Sequence, residues 1–175
     1  MSRVRRKLSW LALPVVLGLI YSSVVLFAPV WHLFHGDSIS YQGWRIPVAS
    51  AFFAKRGSGG PSLIRITIGT LLWDGPSADI HFSVFPKAFY FATEYQGFAA
   101  GSARAASHLG YQPSAHNEVR IGGATGYCLE FIRPGTKAKS YIQCALEGSK
   151  LFILYIGSSE YVSEFYSTLE GMKHP

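Results

Sequence analysis

The chain predicts an α+β fold behind an N-terminal transmembrane helix, on three observations. An uncharged apolar run opens it, short alternating apolar segments separated by turn residues follow, and an amphipathic helical stripe ends it. The expected domain is a small antiparallel sheet packed with helices and closed by that C-terminal amphipathic helix.

From Leu8 to Phe34 there is no Asp, Glu, Lys or Arg. The run exceeds the roughly 20 residues that cross about 30 Å of hydrocarbon as helix. Trp10 and Trp31 would stand about 31 Å apart, one at each interface. Pro14 lies near the start, where a missing donor costs least. Arg3, Arg5, Arg6 and Lys7 precede the run and favour a cytoplasmic N-terminus. Cleavage as a signal peptide is disfavoured, because Ala28 has Leu26 two before it and Pro29 directly after. The expected organisation is a basic cytoplasmic tail (1–7), an anchor contacting membrane lipid (8–34) and an extracytoplasmic domain (35–175). The setting expected is a bacterial inner membrane with the domain in the periplasm.

With 175 residues, one domain is the limit behind such an anchor. Charged residues make up 15% of the chain, below the roughly 25% of an ordinary soluble protein, which fits a lipid-facing segment. The net charge of +6 is not a nucleic-acid signature: without the four N-terminal cations, twelve basic residues face ten acidic ones. No Lys/Arg stripe remains that would neutralise many phosphates, and no nucleic-acid partner is expected.

The elements follow in order. Ile39, Tyr41 and Ile46 form a strand or hairpin around Gln42-Gly43, limited by Pro47. Lys55–Ser62 reads as a solvated Gly/Pro loop, Leu63–Leu72 as a buried strand and Asp74-Gly75-Pro76 as a turn. Ile80, Phe82 and Val84 alternate as a strand; Thr93–Leu109 is Ala-rich and helical, weakened by Gly97 and Gly101. Val119–Ile121 and Gly126–Arg133 flank the hairpin signal Gly122-Gly123. Tyr141–Leu146 and Leu151–Ile156 are further strands, the second apolar throughout and so expected to be covered on both faces. Ser158 or Ser159 caps a last helix with Tyr161, Val162, Phe165, Leu169 and Met172 on one stripe. This order resembles small α/β sandwiches of the PsbP type; with no motif shared, the resemblance concerns architecture and implies no function.

Cys128 and Cys144 are the most interpretable pair. A symmetric turn at 133–137 pairs Arg133 with Lys139 and sets Cys128 opposite Cys144, within bridging distance. A disulfide is expected, since an outward-facing domain sits where disulfides persist. A one-residue slip would instead leave two free thiols on opposite faces.

Other candidates are weaker. His32 and His35 share a helical face with Asp37 beyond, but two imidazoles and a carboxylate fall short of a metal site; no metal or other cofactor is expected. His81, His108 and His116 are scattered, and no catalytic residue is assigned. Gly57–Gly60 and Gly122–Gly126 read as turns rather than phosphate cradles. The aromatic group Phe85, Phe89, Phe91, Phe98, Tyr90 and Tyr95 is denser than a strand edge needs and is the candidate ligand or partner surface, with core packing the plainer alternative. The sequence therefore points to a non-catalytic envelope protein binding a protein partner or an apolar ligand. The alternative is a small anchored enzyme, perhaps hydrolytic, which needs a cleft joining two of His81, His116, Asp79 and Glu130.

Overall fold

The computed structural model describes Gly18, Thr70 and residues 26–67, 77–135 and 138–174. A seven-stranded, wholly antiparallel sheet dominates it. A helical segment α1 (26–35) leads into a hairpin of β1 (Ser38–Tyr41) and β2 (Trp44–Pro47). Then come β3 (Phe53–Arg56), β4 (Pro61–Arg65), β5 (Ala78–Val84) and α2 (Phe91–His108). The strands β6 (Gln112–Ile121), β7 (Ala124–Arg133), β8 (Lys139–Leu146) and β9 (Leu151–Ser158) form a meander, ended by a 3-10 turn (Ser159–Tyr161) and α3 (Val162–Glu170). The sheet order is β3-β4-β5-β9-β8-β7-β6, so β9 returns to pair with β5 and closes the centre.

Strand periodicity of two divides the side chains between two faces. On the first, Leu63, Ile80, Phe82, Ile142, Ile153 and Tyr155 meet Phe165 and Leu169 of α3 and Trp44 and Ile46 of the hairpin, all of them buried. On the second, α2 lays Ala106 against Leu129, Phe131 and Tyr141, with Tyr111 following the helix into the same cluster. The β6–β7 turn shows how tightly the layers meet. Gly122 has φ +56°, and an added Cβ would fall 2.5 Å from the Trp44 ring. Only glycine combines that backbone with that approach.

The membrane expectation is corrected. Among the described residues no helix is long and apolar enough to cross a membrane. Residues 1–17 and 19–25 of the tail and anchor lie outside the described residues. The described end of the run belongs instead to the domain. Phe27 meets Phe53 edge-on at 4.5 Å, Trp31 packs against the main core, and His32 Nε2 donates to the carbonyls of Phe52 (3.0 Å) and Ala49 (3.2 Å). Hydropathy cannot separate residues that face lipid from residues that face a sheet, so the single-pass signal-anchor reading is withdrawn. Among the described residues the fold is correspondingly β-rich, a large antiparallel sheet with three helices, where a small sheet behind a transmembrane helix was expected.

Smaller corrections follow from edges and ends. Lys55 and Arg56 are not loop but the end of edge strand β3, and Pro61 opens β4, where a missing amide matters least. β6 starts at Gln112 and carries Pro113 because it too is an edge, with a register shift between Pro113 and Ala115. In β9 only one face is fully covered; Phe152 and Leu154 are half-buried and Ile156 is exposed. The strand buried on both faces is β8, from Ser140 to Leu146. The expected turn at Asp74-Gly75-Pro76 lies outside the described residues.

Candidate functional site

The segment between β5 and α2 is stitched to the β8–β9 turn. The Phe85 amide donates to the Lys150 carbonyl (2.7 Å), Phe89 to Ser149 (2.9 Å), and Gly148 back to Phe89 (2.8 Å). Glu147 accepts the Phe91 amide at 2.9 Å and so holds the start of α2. No side chain of the N-cap residue Tyr90 caps the helix; Glu94 reaches back to the Tyr90 amide at 2.9 Å instead. Glu94 also pairs with Lys87, and those two partners hold its carboxyl below the usual carboxylate range.

This scaffold splits the aromatic group. Phe85 stacks on Phe89 at 5.7 Å, and Phe89 meets Phe98 edge-on at 5.2 Å. With Gly97 they line an open groove of about 630 Å³, with Lys87 and Glu94 also contributing to its lining. Phe91 and Tyr95 turn away to pack on Tyr127, at 3.9 and 6.0 Å between ring centres. Phe89 is buried and Tyr90 exposed, while Phe85, Phe91, Tyr95 and Phe98 are half-buried. Three of the six rings thus form a concave wall, and the other three do not line it. Gly97, which the sequence shows only as a weak helix residue, is part of that wall: a Cβ there would meet nothing within 4 Å. Its i, i+4 spacing from Thr93, which lines the same groove, was the available signal.

Cys128 and Cys144 are paired across β7 and β8, their sulfurs bonded at 1.99 Å, and both are fully buried.

The residues required by the enzyme reading are placed differently. Asp79 and His81 point to the second face from β5, where Ser62 Oγ lies 2.9 Å from His81 Nδ1. Burial raises the Asp79 carboxyl above its ordinary value, against the opposing pull of Ser62, His81 and Lys55 nearby. Glu130 is also raised by burial, against the pull of the nearby Tyr166 hydroxyl, which accepts a hydrogen bond from Asn117 Nδ2 at 3.1 Å. His116 and Glu130 both line a shallow cleft of about 270 Å³ at the β6 edge, but His116 stands opposite Leu129 and Glu130 opposite Ala115, so alternation sends their side chains to opposite faces. His108 is exposed at the end of α2. His32 Nδ1 meets Asp37 at 2.9 Å, whereas His35 stacks on Trp31, so the two imidazoles do not converge.

No family model and no curated protein matches this chain. Among solved structures, 17 chains match it. LpqN of Mycobacterium tuberculosis, described as involved in cell envelope biogenesis, is similar with a TM-score of 0.51 at 14% identity, over 79% of this chain and 90% of LpqN. The cyanobacterial PsbP (CyanoP) of Synechocystis sp. PCC 6803 gives 0.47 at 12% identity, over 79% and 91% of the two chains. Identity this low carries no activity across. The chain shares its fold with LpqN.

Proposed function

We propose that this chain is an extracytoplasmic, envelope-associated domain that binds an apolar ligand in the groove beside α2. The observation that carries the reading is the groove itself: concave, walled by Phe85, Phe89 and Phe98, with the one ion pair Lys87–Glu94 in its lining. Its volume of about 630 Å³ lies within the range of small-molecule sites, roughly 300–1,000 Å³. A protein partner would favour protruding rings, and of the six only Tyr90 is exposed. Two facts support the compartment. The Cys128–Cys144 disulfide suits an oxidising environment, and the fold is that of a protein connected with cell envelope biogenesis.

The test is photolabelling of the full chain with a diazirine-bearing long-chain alcohol, with adducts mapped by mass spectrometry. Adducts are expected on peptides spanning Phe85–Phe98. Gly97→Leu fills the groove and should lower them more than about tenfold, a loss well beyond that of a single poor contact. Gly101→Ala, one turn along the helix in open space, should leave them unchanged. Equal labelling of wild type and Gly97→Leu would refute the site.

A further inference from the structure

The charges at the rim of the groove beside α2 select among apolar ligands. We propose, on the reading that this groove is a ligand site, that it takes a neutral amphiphile, an apolar chain ending in an alcohol or ester, and that Glu94 is the residue that turns away chains ending in a carboxylate.

The lining gives the first argument. Lys87 and Glu94 are the only charged residues among those that line the groove, and the wall beside them is aromatic. A chain seated on Phe85, Phe89 and Phe98 therefore has that pair alone to answer an ionised head group.

The second argument is that the groups able to hold an anion there are already holding one. The Lys87 ammonium is paired with Glu94 Oε1, and Glu94 Oε2 accepts the Tyr90 amide at 2.9 Å. The next amide, that of Phe91, is taken by Glu147 Oε2 at 2.9 Å. An ammonium and the first amides of a helix are the usual attractions for an incoming anion. Here two of the chain's own carboxylates occupy them.

A ligand carboxylate must then displace Glu94 or lie beside it without a counter-ion, and like charges set together oppose binding. Glu94 cannot yield by taking up a proton near neutral pH, because Lys87 and the Tyr90 amide hold its carboxyl below the usual range. A neutral head group leaves both bonds of Glu94 intact. The discrimination is modest, because the Lys87 side chain is 79% exposed and water screens the pair.

Competition against the diazirine alcohol in the full chain tests this, with octanol and octanoate as competitors at neutral pH, where the acid is ionised. Octanol should displace the label at about tenfold lower concentration than octanoate. Glu94→Gln keeps an oxygen for the Tyr90 amide and releases Lys87, so that preference should fall to about twofold. Lys87→Met leaves the Glu94 charge without its counter-ion, so the preference should widen to about thirtyfold. Arg104→Gln, exposed on the same helix and outside the groove, should keep the wild-type value. Octanoate competing as well as octanol in the wild type, or a preference that Glu94→Gln leaves unchanged, would overturn the role of Glu94 while the groove stands. Octanol failing to displace the label would overturn the groove itself, and the head-group selection with it.

Discussion

Breaking the Cys128–Cys144 bond should weaken the fold without changing it. The bond joins residues already opposite each other in an antiparallel pair that runs from Gly126 to Arg133, so the native sheet holds its register when the sulfurs part. The effect falls on the unfolded chain, which regains the freedom of a loop with a sequence separation of 16. The chain-entropy relation puts that at about 3 kcal/mol. With a urea dependence of roughly 2 kcal/mol/M, the midpoint should drop by about 1.5 M on reduction. The rate should be informative as well. Both cysteines are fully buried beneath α3 and the hairpin, so a thiol reductant attacks only when the sheet opens, and reduction in native buffer should proceed at the unfolding rate. Equilibrium urea curves by far-ultraviolet circular dichroism, with and without dithiothreitol, measure the first quantity; timed alkylation measures the second. A midpoint shift under about 0.3 M, or free thiols that appear faster than the chain unfolds, would refute the reasoning.

Three further outcomes follow from single side chains. Arg65 Nη1 donates to both carboxylate oxygens of Glu164 at 2.7 and 2.6 Å and its guanidinium lies 3.9 Å from the Tyr161 ring centre, tying β4 to α3. Arg65→Lys loses the planar stacking and should cost about 1 kcal/mol in urea denaturation, a modest figure because the pair is partly exposed. Ser102 carries a buried hydroxyl with no hydrogen-bond partner among the described residues, so Ser102→Ala should raise stability by about 1 kcal/mol by the same assay. Glu130 has its folded-state pKa raised from 4.5 by burial, so its stabilising contribution is complete below pH 4.5 and fades as pH rises through the folded value. Glu130→Gln should therefore match wild type near about pH 3.5 and exceed it at neutral pH; denaturation curves at the two pH values check the sign.

What the sequence made legible is concentrated where local rules and burial agree. The β7–β8 register could be read because a symmetric turn fixes one pair, Arg133 with Lys139, and alternation fixes the rest. The Gly122-Gly123 and Gln42-Gly43 turns were readable because left-handed backbone needs such residues; both Gly122 and Gly123 have positive φ, as do Gln42 and Gly43. The last helix was readable from its stripe, and Ser158 does accept the Glu160 amide. Edge strands defeated the same rules. Lys55 and Arg56 look like loop residues because an edge needs little apolar surface, and Pro113 looks like a breaker although no neighbour wants its amide. The apolar run at 8–34 misled in the opposite direction, since its described end is partly held by the domain itself. As for the sites, the aromatic group was visible in the sequence but its division was not. Which rings wall a groove depends on Glu147, 56 residues from Phe91, accepting an amide at the start of α2.

The pairing of β5 with β9 has a consequence for how the protein comes into being. Ala78 meets Gly157 and Val84 meets Leu151, so the middle of the sheet joins segments roughly seventy residues apart, while β6, β7 and β8 pair only with sequence neighbours. As the chain is synthesised, β3, β4 and β5 emerge early and then wait with one side of β5 open. Nothing can complete the sheet until β9 appears close to the C-terminus. Through that interval Ile80 and Phe82 have no α3 above them and β5 offers an unpaired apolar edge, the condition under which strands join to the wrong chain. A truncation that removes only β9 and α3 therefore takes away the closing piece of the whole sheet, not one ornament at its end.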